Sequence, residues 1–218
     1  MSKSRTVVHL LRHGEVHNPE GVLYGRLPDY HLSELGHQMA ARVGEWFMPN
    51  DIIHVVSSPL ERARETARPL AQRLGADVII DSRVIEAGNF FEGKTFGVGD
   101  GALHHPGVWW RLRNPFKPSW GEPYKQIATR MMAAILDARA TAEGREIVIV
   151  SHQLPVWIAR RTAEGRRRYA HDPRRRQCQL ASVTSITFSG PDIVGVAYNE
   201  PARDLVPVRA KKNFVAGA

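Results

Sequence analysis

Three apolar runs in this chain stop at polar residues able to do chemistry. "VVHLL" runs into Arg12-His13-Gly14-Glu15, and "IIHVV" into Ser57-Ser58, with Arg62 one helical turn further on. "EIVIV" runs into Ser151-His152-Gln153. Taken singly, a histidine at a strand end is more often structural, and Arg62 is an ordinary helix-surface residue. Together they offer two imidazoles and two guanidiniums, at positions that an open parallel sheet directs toward one crevice. The excess of 30 Lys and Arg over 22 Asp and Glu suits nucleic acid, an anionic membrane surface or small anionic substrates. His13 and His17 stand four apart, as metal ligands do, but neither an HExxH helix nor a third carboxylate ligand accompanies them.

The elements that must hold these residues alternate strand with helix, the pattern of an α/β chain with a mostly parallel sheet. "TVVHLL" reads as a strand buried on both faces. "LSELGHQMAARVGEWF" carries a helical stripe at Leu35, Met39, Val43 and Phe47, with Ser33 as its N-cap. "DIIHVVSS" is a second strand. Pro59 suits the first position of the next helix, capped by Ser57 or Ser58. That helix is expected to break near Pro69, leaving "LAQRL" as a separate turn stopped by Gly75. "ADVIID" and "EIVIVSH" are further strands. Between them lies a helix from Pro123 that Gly144 stops, and after them "LPVWIARRTAEG" is a helix closed by Gly165. "SVTSITFSG" and "DIVGVAYNE" pair around a Gly-Pro-Asp turn.

From Arg83 to Pro123 the pattern is irregular, and residues 89–123 are expected to form a lid or binding insertion. Trp109, Trp110, Phe116 and Trp120 read mainly as packing it onto the core. His104, His105, Arg111, Arg113 and Lys117 are its candidate anion contacts.

With 218 residues, 43% of them hydrophobic, one globular domain over 1–218 is expected. No run approaches the roughly 20 apolar residues of a membrane span. The N-terminal apolar run meets Arg12 and His13 without a cleavage site, so no signal peptide is expected. The single cysteine, Cys178, excludes an intramolecular disulfide and fits a cytoplasmic location. Much of the +8 charge sits in Gly165–Gln177, read as a solvated basic loop. Without a recognisable module, nucleic acid is not expected as a partner. Neither is a membrane, and the expected state is a monomer or homodimer.

"LRHGE", "SSPLERARETA", a later "E…EG" and "SHQ" resemble the histidine phosphatase superfamily, the phosphoglycerate mutase-like family. The resemblance spans Leu11 to Gln153 and, in pattern, most of the chain. It implies a three-layer αβα fold around a mostly parallel sheet. It makes His13 the nucleophile that becomes phosphorylated, oriented by the Gly14 carbonyl, with the glycine letting the chain approach the phosphate. Arg12, Arg62 and His152 match the phosphate pocket, His152 donating a hydrogen bond best when protonated. Glu86 matches the proton donor, with Glu15 a weaker alternative. Asn18 is carried over as a phosphate ligand, although it comes five residues after His13 where the family often has six. Gln153, Tyr24 and Arg26 are carried over as substrate-binding residues. No metal is required, since the cationic side chains take that role.

Both main branches of the family share the phosphohistidine step. Cofactor-dependent mutases carry Glu-Arg-His-Tyr-Gly at the acid and a later Arg-Arg pair that hold the substrate carboxylate. Here Glu86 is followed by Ala87-Gly88-Asn89, and the pair is split as Arg111-Leu112-Arg113. The resemblance therefore favours a phosphatase acting on a small phosphate monoester. A mutase, which alone would need 2,3-bisphosphoglycerate, is the alternative, and a non-catalytic phospho-ligand or regulatory module is the second.

Overall fold

The structure is a computed structural model that describes residues 5–97, 101–114, 118–166 and 169–206. Phe116 and Lys117 lie outside the described residues, as do Arg167 and Arg168 of the basic segment.

Four strands, β1 (Arg5–Arg12), β2 (Ile52–Ser57), β3 (Val78–Ile80) and β4 (Glu146–Ser151), run parallel. β5 (Val183–Ser189) and β6 (Asp192–Asn199) add an antiparallel hairpin, giving the order β3-β2-β4-β1-β5-β6. Helices α1 (Glu34–Trp46) and α2 (Glu61–Leu74) cover one face, and α3 (Tyr124–Thr141) and α4 (Gln153–Ala163) the other. Alternation along the strands divides the core. Val8, Leu10, Ile147 and Ile149 pack with α3 and α4, while Leu11, Val148 and Val150 pack with α1 and α2. Strands covered on both faces are apolar almost throughout, which is why these two read so clearly. The fold is the expected three-layer α/β arrangement. Among the described residues, no helix is long and apolar enough to cross a membrane.

Ser33 caps α1 as expected, its side chain accepting from the Gly36 N–H. Around α2 two expectations fail. Leu60 occupies the N-cap without a side-chain hydrogen bond, and Ser57 and Ser58 are buried in the site instead. The helix also runs unbroken through Pro69. Proline removes one donor and crowds the preceding turn, but α1 presses there: a Cβ on Gly44 would already lie 3.6 Å from Pro69. Burial of Thr66, Ala67, Leu70 and Ala71 outweighs the lost bond. α3 ends at Thr141, and Gly144 follows its cap in a left-handed turn.

Two short 3-10 turns, Ala102–His104 and Pro106–Arg111, lie within the irregular segment. Its ends are pinned together by a bridge between Asn89 and Gly121, with the Phe90 N–H donating to the Trp120 carbonyl at 2.6 Å. Trp120 packs with Leu23 and Phe91 as expected, but Trp109 and Trp110 are each 55% exposed, their indole N–H groups donating to nearby carbonyls. His104, His105 and Arg113 are exposed as well.

Candidate active site

Because β2, β4 and β1 are neighbours and parallel, their C-terminal ends meet. Arg12 pairs with Ser151, the His13 N–H donates to the Ser151 carbonyl at 3.1 Å, and the Ser58 N–H to the Val150 carbonyl at 3.0 Å. The three polar endings thus lie side by side, and the first turn of α2 adds Arg62.

His13 is fully buried. Its Nδ1 lies 2.8 Å from the Gly14 carbonyl oxygen. A carbonyl only accepts, so the hydrogen sits on Nδ1 and the lone pair on Nε2. Burial, then the charges of Arg62 and Arg12, push the His13 pKa well below 6.5, so the ring is neutral near pH 7. Nε2 is buried and has no hydrogen-bond partner among the described residues.

His152 stands with its ring centroid 5.2 Å from that of His13 and its Nε2 2.8 Å from the Ser58 hydroxyl. Burial, Arg62 and His13 lower its pKa well below 6.5 too. In the free protein His152 is therefore neutral rather than protonated, and its buried Nδ1 is another atom without a partner among the described residues. Arg12 donates from Nη1 to the Cys178 carbonyl, and Arg62 from Nη2 to the Gly25 carbonyl. Arg12 Nε and Arg62 Nε and Nη1 are buried without partners among the described residues. Buried guanidinium donors left unsatisfied are costly unless an anion meets them.

Glu86 is 8% exposed, and burial raises its pKa above the usual carboxylate value. The Ala87 N–H, donating to Oε1 at 2.8 Å, and the charges of Arg62, Arg176 and Arg130 oppose that shift without cancelling it. A buried carboxyl whose pKa is raised is the kind of group that general acid catalysis uses.

Gly14 serves packing rather than access to an anion: a Cβ on it would lie 2.7 Å from the Gly36 carbonyl of α1. Its N–H donates to Thr66 Oγ1, which in turn donates to the Arg62 carbonyl at 2.7 Å, joining the histidine loop to α2.

The remaining expected residues divide. Tyr24 is buried rather than at a mouth, its ring under Arg62 with the guanidinium carbon 4.7 Å from the centroid. Gln153 is buried beside His152 and accepts from Arg176 at 3.1 Å. The Asn18 side-chain amide both donates to and accepts from the Val22 backbone. Glu15 accepts from the Ser33 hydroxyl at the α1 cap. Arg26 reaches the acid's backbone, Nε donating to the Glu86 carbonyl at 2.7 Å. It also lines an open cavity of about 550 Å³ with Gly88, Asn89, Phe90, Trp120 and Gln126.

Sequence reasoning missed Glu122, Arg130 and Arg176. Arg130 donates to the Arg83 and Ile85 carbonyls, both at 2.6 Å, and Glu122 accepts from Arg130 and Arg26 together. No local signal marks them, since each bond spans a loop or joins distant elements.

The chain matches the histidine phosphatase superfamily (branch 1) over residues 8–201. It is 55% identical to the uncharacterized protein Rv0525 of Mycobacterium tuberculosis, over 90% of this chain and 97% of that one. It is 30% identical to a protein described as probable phosphoglycerate mutase GpmB of an Enterobacter species, over 83% and 84%. Among solved structures, a mycobacterial glucosyl-3-phosphoglycerate phosphatase, Rv2419c in complex with VO3, superposes with a TM-score of 0.68. It shares 25% identity, over 90% of this chain and 96% of that one. With its sequence matched over most of its length, the chain belongs to the histidine phosphatase superfamily, branch 1.

Proposed function

We propose that the chain is a phosphatase that hydrolyses a small phosphate monoester through a phosphohistidine at His13. The observation that carries the reading is a set of buried polar atoms without hydrogen-bond partners among the described residues: Arg12 Nε, Arg62 Nε and Nη1, His152 Nδ1 and His13 Nε2. A phosphoryl group satisfies all of them at once. Its oxygens accept from the guanidiniums and from His152, and its phosphorus meets the lone pair of His13. An anion at His152 selects the ring form with hydrogen on Nδ1, with the Ser58 hydroxyl donating to Nε2.

In the first step His13 Nε2 forms a bond to phosphorus as the bond to the ester oxygen breaks, and Glu86 gives its proton to that oxygen. In the second, Glu86 takes a proton from a water whose oxygen bonds phosphorus. The P–N bond then breaks, freeing phosphate and restoring His13. Catalysis is mainly positioning and charge, as phosphoryl transfer requires. Arg12 and Arg62 supply the cationic charge, so this route uses neither a metal nor an organic cofactor.

The reading is tested by rapid quenching during turnover of p-nitrophenyl phosphate. An acid-labile phosphoryl label on His13, absent with turnover in His13→Ala, is expected. Turnover retained by that variant overturns the reading. A mutase is the second reading, supported by the likeness to the protein described as GpmB. Interconversion of phosphoglycerate isomers, stimulated by 2,3-bisphosphoglycerate and with little phosphate release, would establish it.

A further inference from the structure

The covered face of α2 is built from Arg62, Ala63, Thr66, Ala67, Leu70 and Ala71. Arg62 belongs to the phosphate pocket, and three of the others are alanines. Thr66 stands out among them, because its hydroxyl is buried with it, at 1% exposure. Threonine is a poorer helix former than alanine, and a buried hydroxyl is costly unless it is bonded. This one is bonded twice. Its hydrogen goes to the Arg62 carbonyl at 2.7 Å, the back-bond that threonine can make within a helix. That leaves an oxygen lone pair, and the Gly14 N–H donates to it at 3.1 Å.

The second bond reaches the peptide that follows the nucleophile. The other holds on that loop come from elsewhere. The His13 N–H donates to the Ser151 carbonyl, the His13 carbonyl accepts from the Ala181 N–H at 3.2 Å, and the Gly14 carbonyl accepts from the His13 ring. None of these partners lies on α2. In the sheet β4 stands between β1 and β2. His13, at the end of β1, and Arg62, in the helix after β2, are therefore not set in register by direct strand pairing. Thr66 crosses that gap, bonding the residue after the nucleophile and the backbone of the phosphate-clamping arginine with one oxygen. Phosphoryl transfer needs both at a fixed separation, since His13 Nε2 must meet phosphorus while Arg62 holds its oxygens.

We infer that Thr66 is a positioning residue, whose hydroxyl fixes the nucleophile loop relative to Arg62. The inference rests on the phosphohistidine reading and adds to it a residue that acts through His13.

The test assays Thr66→Val, Thr66→Ala and Thr66→Ser in the full chain with p-nitrophenyl phosphate, well below the Tm of each. Valine keeps the branched shape and removes the hydroxyl, whereas serine keeps the hydroxyl and loses the methyl group. Thr66→Val is expected to lower kcat about 10–10²-fold, the scale of a misplaced reacting group. KM and competitive inhibition by inorganic phosphate should change little, because Arg62 keeps its side-chain bond to the Gly25 carbonyl. Thr66→Ala should lose kcat in the same way. Thr66→Ser should stay near the wild-type kcat even where its Tm falls, which a purely structural role would not allow. Serine and alanine differ by one oxygen atom, so their comparison decides the matter even if the valine variant does not fold. Equal kcat in those two overturns the inference, and so does a wild-type kcat in Thr66→Val. A loss carried by KM overturns it as well, since the hydroxyl would then support binding rather than the nucleophile. His13→Ala is assayed alongside. If turnover does not depend on His13, the phosphatase reading and this inference fall together. If it does, and serine matches alanine, only the role of Thr66 is lost.

Discussion

Gly14 and Gly36 meet backbone to backbone beneath the nucleophile. A Cβ on Gly36 would lie 2.0 Å from the Glu15 carbonyl, and one on Gly14 would lie 2.7 Å from the Gly36 carbonyl. The histidine loop therefore rests directly on the first turn of α1, with no side chain between.

Gly36→Ala should push that loop away. Overpacking of this kind costs about 1–3 kcal/mol, read as a lower Tm. At a temperature where the variant is still folded, kcat should fall further than the folded fraction explains. A normal kcat there would mean that His13 is positioned independently of α1.

Glu86→Gln separates the two steps of the reaction. p-Nitrophenolate leaves without a proton, so phosphorylation of His13 should survive, while attack by water loses its base. Stopped-flow traces should show a burst of about one equivalent of p-nitrophenol, then turnover slowed about 10²–10⁴-fold. Linear traces at the wild-type rate would remove Glu86 from the mechanism.

Acid should destabilise the protein. Burial lowers the pKa of His9, His13, His152 and His171 in the folded state. Below pH 6.5 the unfolded chain then binds more protons than the folded one, and stability falls with pH. Glu86, raised by burial, opposes this just above 4.5, and His31, raised by Glu65 at the surface, opposes it near 6.5. Four imidazoles outweigh them, so Tm should drop between pH 7 and 5. His13→Asn should make that slope shallower, as thermal melts across the range would record.

Arg62→Met should trade function for stability. The side chain is fully buried, with two nitrogens lacking partners among the described residues. Removing its charge in phosphate-free buffer should raise Tm, for roughly 1–2 kcal/mol. kcat/KM should fall about 10²-fold or more. Saturating inorganic phosphate should stabilise the wild type by about 2.7 kcal/mol at 100 times its Kd, and the variant far less.

Glu122→Gln tests the support behind the acid. Arg26 and Arg130 would lose the carboxylate they share, and their charges would draw the Glu86 pKa down. The alkaline limb of kcat/KM should move to lower pH, with kcat reduced about tenfold by the looser placement. An unmoved limb would reduce Glu122 to a surface contact.

The sheet was legible because β1 and β4 are buried on both faces, which demands apolar runs, and because reactive residues end those runs. Ser33 and Gly75 mark helix ends by local bonding that any sequence window contains. The continuity of α2 through Pro69 was not legible, since the pressure from Gly44 comes from another helix. Asn18 is carried over as a ligand from the resemblance, its spacing one residue short of the family's, and its amide bonds the Val22 backbone. Glu122 and Arg130 reach Arg26 and the Arg83 and Ile85 carbonyls across dozens of residues, and spacing carries no trace of that.

β1 is hydrogen-bonded to β4 along one edge and to β5 along the other. Fraying of the outer strands β3 and β6 leaves its amides covered, so their exchange with solvent deuterium requires opening of the whole molecule. Arg12 ends that strand and His13 follows it. On storage or heating, the nucleophile should stay in place until the last cooperative event, making the working lifetime of the site the lifetime of the fold.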